Sequence, residues 1–344
     1  MVLTVDKIIK ETEDAVSVIF KKTGFFNKVH YNPGQFLTVK IPIKDRVENR
    51  AYSLSSSPHI HKFLRITVKK VEKGLVSNYI CNDLQEGQKI EVKKPSGSFF
   101  VTPNKKNNFK YVFFAAGSGV TPIYSIIMSI LDKEPQSTIL LIYANRTVES
   151  IIFKEELESL KRAYPMRLQI AHILEKVVTP QADYHQDLLN EELVMEIMRE
   201  YKVSFGDAKY YMCGPQGFMD KAKEILSLKG ITRDKIKLEA FNANFITSSN
   251  AKDIQSNVSI IYNGEKHTID VRGDKTILQA AMAKNIMLPY SCRSGMCSSC
   301  KASCISGDIK MVDGHLLAED EVENGYVLTC VSFPRSETVE LVIE

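Results

Sequence analysis

Hydrophobic and polar residues alternate in short runs over the first hundred residues of the chain. The runs cover residues 15–20, 36–41, 64–70 and 89–93, and turn residues such as those at 32–34 separate them. A period of two is typical of strands with one buried face, and strands joined by short turns are typical of an antiparallel sandwich or barrel. The pattern therefore predicts an antiparallel β-barrel over residues 1–103.

A different pattern begins after residue 103, where apolar runs alternate with helix-length segments. Apolar runs at 111–116 and 138–144 are each followed by such a segment, and further strands are expected at 167–173 and 209–212. This alternation is typical of parallel strands joined by crossover helices. Residues 104–241 are therefore predicted to form an α/β nucleotide domain with a parallel sheet.

The remaining residues form a linker and a last domain. Residues 242–255 are polar and lack apolar periodicity, so they are predicted to be a linker to a domain at 256–344. From residue 256 onward there are 8 Lys and Arg against 12 Asp and Glu, a net charge of −4, whereas residues 1–255 carry a net charge of +8. The two parts of the chain thus carry net charges of opposite sign.

The composition narrows the class of protein. With 44% hydrophobic and 25% charged residues it is that of a soluble globular protein. No apolar run approaches the roughly 20 residues of a membrane-spanning helix, and the amino terminus lacks the pattern of a signal peptide. Seven cysteines in such a chain indicate metal ligation in a reducing compartment. We expect a cytoplasmic protein with no stable membrane insertion and no nucleic-acid partner.

Four cysteines near the carboxyl end follow an iron–sulfur spacing. Cys292, Cys297 and Cys300 form a C-x4-C-x2-C run, and Cys330 follows after 29 further residues. This is the ligand pattern of plant-type ferredoxins. The loop is built from small residues whose N–H groups can turn toward the sulfurs, and Gly295 permits a tight turn. The spacing predicts a 2Fe-2S cluster held by these four residues.

Two other metal sites are alternatives to this cluster. A C-x2-C pair also suits zinc, but zinc normally needs a second such pair or two histidines, which are missing here. A four-iron run would need a cysteine at position 294 and a proline at 305, where the chain has Ser294 and Ile305. Cys304 and Cys81 are left over and are expected to be structural thiols.

The run Arg50-Ala51-Tyr52-Ser53 places a cation, a phenol and a hydroxyl at the end of an expected strand. Arg50 can pair with a phosphate, Tyr52 can stack on or bond to a ring system, and Ser53 can donate toward a ring nitrogen. The set suits a flat, anionic cofactor. A serine-rich turn without a ligand is the alternative.

Three further segments have features of nucleotide sites. The run Gly74-Leu75-Val76-Ser77 can begin a helix, whose first N–H groups favour a pyrophosphate. The run AAGSGVTP at 115–122 follows a buried strand and opens a helix, although only Gly117 and Gly119 of a full G-x-G-x-x-G pattern are present. Cys213-Gly214-Pro215 ends a later strand, where an α/β sheet binds its ligand. A tight turn and a packing cysteine are the alternatives.

In this order the motifs RAYS, GLVS, AAGSGVTP and YMCGP, followed by the ferredoxin cysteines, resemble the ferredoxin-NADP reductase superfamily. The set is most similar to oxygenase reductases with flavin, nicotinamide and 2Fe-2S domains in sequence, in particular those of the phenylacetyl-CoA epoxidase and 3-ketosteroid 9α-hydroxylase systems. The resemblance spans nearly the whole chain. It implies a multidomain protein whose last domain is an α+β ferredoxin domain of the β-grasp type.

The resemblance also implies a role for each motif. The implied contacts to FAD are Arg50, Ala51, Tyr52, Ser53, Thr67, Val68, Lys69, Gly74, Leu75, Val76 and Ser77, and those to NADH or NADPH are Gly117, Ser118, Gly119, Thr121, Cys213, Gly214 and Pro215. Phe241 falls where many relatives place an aromatic that stacks on the flavin. The candidates for groups that touch the reacting atoms are Tyr52, Ser53, Thr121 and Cys213.

The choice between NADH and NADPH stays open. Relatives that prefer NADPH often have Ser-Arg after the strand at 168–174, where this chain has Glu175-Lys176. Glu175 can bond a ribose hydroxyl and repel a 2'-phosphate, which favours NADH. Lys176 favours the opposite choice.

These cofactors together predict an electron-transfer enzyme. A hydride brings two electrons, whereas a 2Fe-2S cluster accepts one at a time, so the flavin must release its electrons singly. The expected acceptor is a terminal oxygenase or another electron-acceptor protein, and the acidic last domain is expected to dock on the basic flavin region and then on that partner. A stand-alone reductase of quinone, ferric chelate or oxygen, and a redox-sensing binding protein, are the alternatives.

Overall fold

The computed structural model describes residues 1–21, 29–43, 46–177, 184–241, 255–312 and 315–343. Contacts divide the chain into two compact units, Met1–Ala240 and Phe241–Glu344. Of the predicted linker, only Gln255 lies within the described residues, and the first strand of the second unit begins there. None of the described helices is long and apolar enough to cross a membrane.

The first unit begins with a β-barrel. Its elements are β1 (Val2–Thr12), β2 (Ala15–Phe20), β3 (Phe36–Ile43), β4 (Arg46–Ser53), β5 (Leu64–Lys69), α1 (Leu75–Asn82) and β6 (Lys89–Val92). All pairings are antiparallel, in the order β4-β3-β6-β1-β2-β5. A bridge between Leu54 and Ile66 joins the end of β4 to β5 and so closes the sheet. Apolar side chains such as Val39 and Val68, both fully buried, fill the interior.

The nucleotide domain completes the first unit. Its elements are β7 (Lys110–Ala116), α2 (Val120–Lys133), β8 (Thr138–Asn145), α3 (Lys154–Ala163), β9 (Leu168–Leu174), β10 (Tyr184–Gln186), α4 (Glu191–Glu200), β11 (Ala208–Cys213), α5 (Gln216–Leu228) and β12 (Ile236–Glu239). The strands are parallel, in the order β10-β9-β8-β7-β11-β12. The strand order reverses between β7 and β11, which is where such folds bind ligands.

Helix α2 packs against both the nucleotide-domain sheet and the barrel and so holds the two domains together. Almost all of its residues are buried, because one side packs on the parallel sheet and another on the barrel. The Ser125 hydroxyl donates to the carbonyl of Ser56 at 2.6 Å, and the hydroxyls of Ser129 and Ser57 lie 2.7 Å apart. These serines give an otherwise apolar helix its polar contacts with the barrel.

Within its described residues, the second unit has a five-stranded mixed sheet, a two-stranded sheet and two short helices. Its elements are β13 (Gln255–Tyr262), β14 (Glu265–Arg272), α6 (Ile277–Ala283), β15 (Lys301–Ser306), β16 (Ile309–Met311), α7 (Glu319–Glu323), β17 (Tyr326–Leu328), β18 (Ser332–Pro334) and β19 (Thr338–Ile343). The main sheet has the order β14-β13-β19-β15-β17, with β13 and β19 parallel. Thr276 caps α6, accepting from the N–H of Gln279 at 3.2 Å. The predicted fold class is thus confirmed for all three parts of the chain.

Candidate cofactor sites

The four predicted iron ligands converge within the second unit. Cys292, Cys297 and Cys300 lie in the loop between α6 and β15, and Cys330 follows β17. All but Cys292 are buried, and none forms a disulfide. Their thiols lie within interaction range of one another: Cys292 interacts with Cys297 and with Cys330, and Cys300 interacts with Cys330. The fold therefore brings together residues that lie up to 38 positions apart in the sequence.

The loop geometry suits anionic sulfur. The N–H of Ser294 points at the sulfur of Cys292 at 3.4 Å. Hydrogen bonds from Cys297, Cys330 and Ser294 lower the pKa of the Cys292 thiol, and the same contacts raise the pKa of the Cys297 and Cys330 thiols, so a single negative charge among them settles on Cys292. Gly295 has a φ of 75°, and a side chain there would lie 3.2 Å from Val331. This confirms the expected tight turn at Gly295.

The four thiols suit a cluster of two irons. A 2Fe-2S cluster uses four thiolates spread over two irons, and here Cys292 lies beside Cys297 and Cys330, with Cys300 beside Cys330 as well. Cys304 stands apart, with its thiol 3.5 Å from the carbonyl of Ser306.

The predicted flavin residues line the end of β4 in the first unit. Tyr52 is half-buried against the barrel core, and burial raises the pKa of its phenol, so the hydroxyl keeps its proton. Arg50 is half-buried and donates to Glu48 at 2.9 Å and to the carbonyl of Asn49 at 2.8 Å. Ala51 lies between them and is partly exposed. The arrangement gives a phenol and a cation side by side at the edge of the barrel.

Ser53 connects the barrel to the nucleotide domain. It ends β4, is buried, and its Oγ donates to the Oε2 of Glu239 at 3.0 Å. Glu239 ends β12 and is also buried. The Ser53 hydroxyl, which is expected to face the flavin, therefore donates a hydrogen bond to a carboxylate of the nucleotide-domain sheet.

The predicted residues on β5 differ in orientation. Thr67 is buried, and its hydroxyl lies 2.7 Å from that of Ser17 and 2.8 Å from that of Ser55. The Val68 side chain is fully buried in the barrel core. Lys69 is partly exposed, with its Nζ 3.3 Å from Asp14. The side chains of Thr67 and Val68 are thus turned into the protein, whereas that of Lys69 reaches the surface.

A tight turn precedes α1. The N–H of Gly74 bonds to the carbonyl of Val71 at 2.9 Å, and a side chain on Gly74 would lie 2.5 Å from the Ser77 hydroxyl. Ser77 accepts from the N–H of Val71 at 3.2 Å, so its hydroxyl holds this turn. Leu75 is exposed and Val76 buried. No side chain caps the helix, so its first N–H groups remain available to a phosphate.

The two predicted nicotinamide segments meet between β7 and β11. A Cβ added to Gly119 would lie 2.0 Å from the carbonyl oxygen of Cys213 and 2.8 Å from the nitrogen of Gly214. Only glycine allows these two backbones to lie so close. The hydroxyl of Thr121 bonds to the carbonyl of Ser118 at 3.0 Å and stabilises the glycine loop.

Three further residues lie around the crevice between β7 and β11. Burial and the nearby Glu239 carboxylate raise the pKa of the Cys213 thiol well above its usual value, so the thiol stays neutral. Gly117 has a φ of 51°, and a Cβ there would lie 3.9 Å from the Nζ of Lys69. Pro215 begins α5 as its N-cap. The crevice therefore opens beside the barrel residues that are expected to hold the flavin.

Sequence reasoning missed Glu239 as a functional candidate. The residue stands in the run Glu239-Ala240-Phe241, of which only Phe241 was singled out. Only the parallel pairing of β12 with β11, which sets Glu239 opposite Cys213, reveals its position. Phe241 itself is 37% exposed and belongs to the second unit, so its expected stacking on the flavin stays a prediction.

Three family models match the chain in the predicted order. The oxidoreductase FAD-binding domain matches residues 2–101, the oxidoreductase NAD-binding domain residues 113–224, and the 2Fe-2S iron-sulfur cluster binding domain residues 260–335. They define the class of the protein: an NAD(P)H-dependent oxidoreductase with FAD and a 2Fe-2S cluster. The predicted cofactors are thus confirmed, while their contact residues stay predictions.

Curated relatives give the family. The chain is 34% identical to the ferredoxin reductase component of 3-ketosteroid-9-alpha-monooxygenase from Rhodococcus rhodochrous, over 99% of this chain and 96% of the relative. It is 33% identical to one of the subunits of 1,2-phenylacetyl-CoA epoxidase from Escherichia coli K12, over 98% and 96%. The chain belongs to this family of oxygenase reductase components, as the sequence motifs predicted.

Solved structures agree with this assignment. Phthalate dioxygenase reductase is 25% identical and matches with a TM-score of 0.66 over 100% of this chain and 98% of that one. An intact type IV self-sufficient cytochrome P450 monooxygenase matches with a TM-score of 0.70 at 20% identity. This chain spans 40% of that longer chain, and the match shows the fold alone.

Proposed function

We propose that this reductase takes electrons from NADH or NADPH and delivers them through FAD and the 2Fe-2S cluster to a partner terminal oxygenase. Relatives that match over nearly their full length are named as a monooxygenase reductase component and as a subunit of an epoxidase. The observation that carries the proposal is the Ser53–Glu239 hydrogen bond, because it joins the strand end expected to face the flavin to the strand beside Cys213, where the nicotinamide is expected.

When bound, FAD accepts a hydride and gives up electrons singly, and the cluster carries them singly. The chain positions the hydride donor. The close backbones at Gly119 and Cys213 form the floor of the crevice, and the neutral Cys213 thiol puts no charge there to repel the nicotinamide. Tyr52 and Arg50 hold the opposite side, toward the flavin.

A path for one proton follows from the buried pair at the end of β4. Oxidation of one NAD(P)H releases two electrons and one proton, and Ser53 and Glu239 are the buried polar pair beside the crevice. The Ser53 hydroxyl accepts the proton at Oγ while passing its own proton to Glu239 Oε2, 3.0 Å away. Glu239 is thereby assigned as the proton acceptor, and it releases the proton to solvent before the next turnover.

The charge distribution supports the docking of the ferredoxin domain, and the cysteine content supports a cytoplasmic location. The second part of the chain has a net charge of −4 and the first of +8, which favours docking of the acidic ferredoxin domain on a basic surface. Electron delivery should therefore slow as ionic strength rises. All seven cysteines are free, which fits a reducing compartment and hence the cytoplasm.

The test uses a terminal oxygenase from the same organism as acceptor. Purified reductase, that oxygenase, its substrate and NADH or NADPH should give hydroxylated or epoxidised product at a rate that depends on reductase concentration. Ferricyanide reduction measures the flavin step separately. Rapid reduction of small acceptors with no electron delivery to any oxygenase would instead favour a stand-alone reductase.

A further inference from the structure

Tyr143 is a fully buried residue of β8 whose side chain contacts the glycine loop at 117–119. Its hydroxyl donates to the carbonyl of Gly117 at 3.1 Å. Burial raises the pKa of the phenol, so the hydroxyl keeps its proton and remains a donor. None of the motifs singled out in the sequence contains Tyr143, yet its side chain reaches the loop that is expected to bind the coenzyme.

The carbonyls at the start of this loop are held on one side. That of Gly117 accepts from Tyr143 and from the N–H of Val120. That of Ser118 accepts from the hydroxyl of Thr121 at 3.0 Å. A trans peptide group is planar, so its C=O and its N–H point in opposite directions. The bond to Tyr143 therefore turns the N–H of Ser118 away from the buried tyrosine, and this residue of the loop is half-exposed.

The second neighbour of the hydroxyl is the segment that leads into α3. The carbonyl of Ile152 lies 3.5 Å from the Tyr143 hydroxyl. Phe153, the next residue, has a φ of 62°, which is uncommon for a residue other than glycine. Its buried ring stacks on Tyr124 with centroids 4.5 Å apart, and the Arg65 guanidinium lies 4.7 Å from its centre. Residues of α2 and β5 thus clamp this segment, so a phenylalanine at position 143 should keep its place and lose only the hydroxyl.

From these contacts we infer that Tyr143 is a positioning residue for the coenzyme. Its hydroxyl holds the first peptide group of the glycine loop so that the Ser118 N–H donates to a phosphate oxygen of NADH or NADPH. An N–H fixed in this direction binds an anion without first having to turn, which saves the cost of ordering the loop on binding. The inference rests on the proposed placement of the coenzyme between β7 and β11, and it adds a residue of β8.

Removal of one hydroxyl tests the assignment. Tyr143→Phe should raise the KM for NAD(P)H about fivefold, the effect of one hydrogen bond, and leave kcat for ferricyanide reduction unchanged. The dissociation constant of NAD⁺ or NADP⁺, measured by titration calorimetry on the oxidised full chain, should rise by the same factor. This second measurement involves no turnover. The FAD content, read from the visible spectrum, should not change.

Tyr210→Phe is the matched control. Tyr210 is likewise fully buried in the parallel sheet, and its hydroxyl donates to the carbonyl of Phe205 at 2.7 Å, outside the glycine loop. Both substitutions take one buried hydroxyl donor away from a backbone carbonyl, so both should lower the melting temperature by similar amounts. Only Tyr143→Phe should weaken coenzyme binding.

Two results would overturn the assignment: an unchanged coenzyme affinity in Tyr143→Phe, or equal losses of affinity in Tyr143→Phe and Tyr210→Phe. Gly119→Ala separates this failure from a failure of the proposed placement of the coenzyme. If Gly119→Ala raises the KM and Tyr143→Phe does not, the crevice binds the coenzyme without being positioned by Tyr143. If neither substitution changes the KM, the coenzyme binds elsewhere, and both the placement and the role of Tyr143 are refuted.

Discussion

The Oγ of Ser53 and the Oε2 of Glu239 are joined by a 3.0 Å hydrogen bond between residues 186 positions apart. Both residues end strands, one in the barrel and one in the parallel sheet. Both are also buried. A buried carboxylate that accepts from a hydroxyl is costly to lose, because the hydroxyl is then left without its acceptor. The pair therefore fixes how the two domains of the first unit meet.

Replacing Glu239 by glutamine should keep FAD bound and lower turnover about a hundredfold, within the range for loss of a general acid or base. The amide fills the same space but cannot take up the proton. Steady-state NAD(P)H oxidation with ferricyanide measures the effect, and a solvent deuterium isotope effect shows whether a proton transfer has become limiting.

Glu134→Gln is the matched control for this substitution. Glu134 is likewise fully buried and accepts from the hydroxyls of Ser137 at 2.6 Å and Tyr111 at 3.1 Å, but these contacts lie away from the crevice. It should change stability and not turnover. Equal losses of turnover in the two variants would contradict the proton path through Glu239.

Gly119→Ala should raise the KM for NAD(P)H at least tenfold while the FAD content stays unchanged. The new methyl group would lie 2.0 Å from the carbonyl oxygen of Cys213, so the floor of the crevice has to move. Overpacking of this kind typically costs about 1–3 kcal/mol. Gly206→Ala in the same domain meets no atom within 4 Å and should leave KM unchanged. An unaltered KM in Gly119→Ala would place the nicotinamide elsewhere.

Cys330→Ser should abolish electron delivery to the oxygenase and preserve flavin reduction by NAD(P)H. The serine removes one of the four thiolates that the two irons need. Iron content and the rate of cytochrome c reduction report the loss, and ferricyanide reports the flavin step. Cys304→Ser, which changes a cysteine outside the ligand set, should retain both activities. Delivery that survives in Cys330→Ser would refute the proposed order of the relay.

Lys176→Ala should lower the preference for NADPH relative to NADH at least fivefold. The N–H of Lys176 bonds to the carbonyl of Arg146 at 3.0 Å, so two basic residues have adjacent backbones just after the ends of β8 and β9. A 2'-phosphate is the group that such a pair attracts. The ratio of kcat/KM values for the two coenzymes measures the effect, with Lys154→Ala as the surface control. A ratio that does not change would assign coenzyme choice to Glu175 instead.

The features that the sequence predicted correctly are mostly those set by a local pattern of residues. The iron ligands follow a fixed spacing within one loop plus one later residue, and the glycines at 117 and 119 mark a turn that the chain order alone places after a buried strand. Apolar runs likewise gave strand β7 to within one residue, because burial on both faces leaves a continuous signal.

Other features depend on pairings that no local pattern encodes. Glu239 becomes a site residue only because β12 pairs with β11 and the barrel packs against that edge. The inward orientation of Thr67 follows from hydroxyl partners on β2 and after β4, at Ser17 and Ser55.

The separation of Cys330 from the other three ligands has a consequence for assembly. Inserting the irons cross-links the chain between positions 292 and 330, closing a loop that contains β15, β16, α7 and β17. Such a closure removes conformational freedom from the unfolded chain, and metal binding is then coupled to folding. The second unit should therefore mature only when iron and sulfide are supplied. A cell short of iron would accumulate a protein whose first unit is folded but which has no electron outlet.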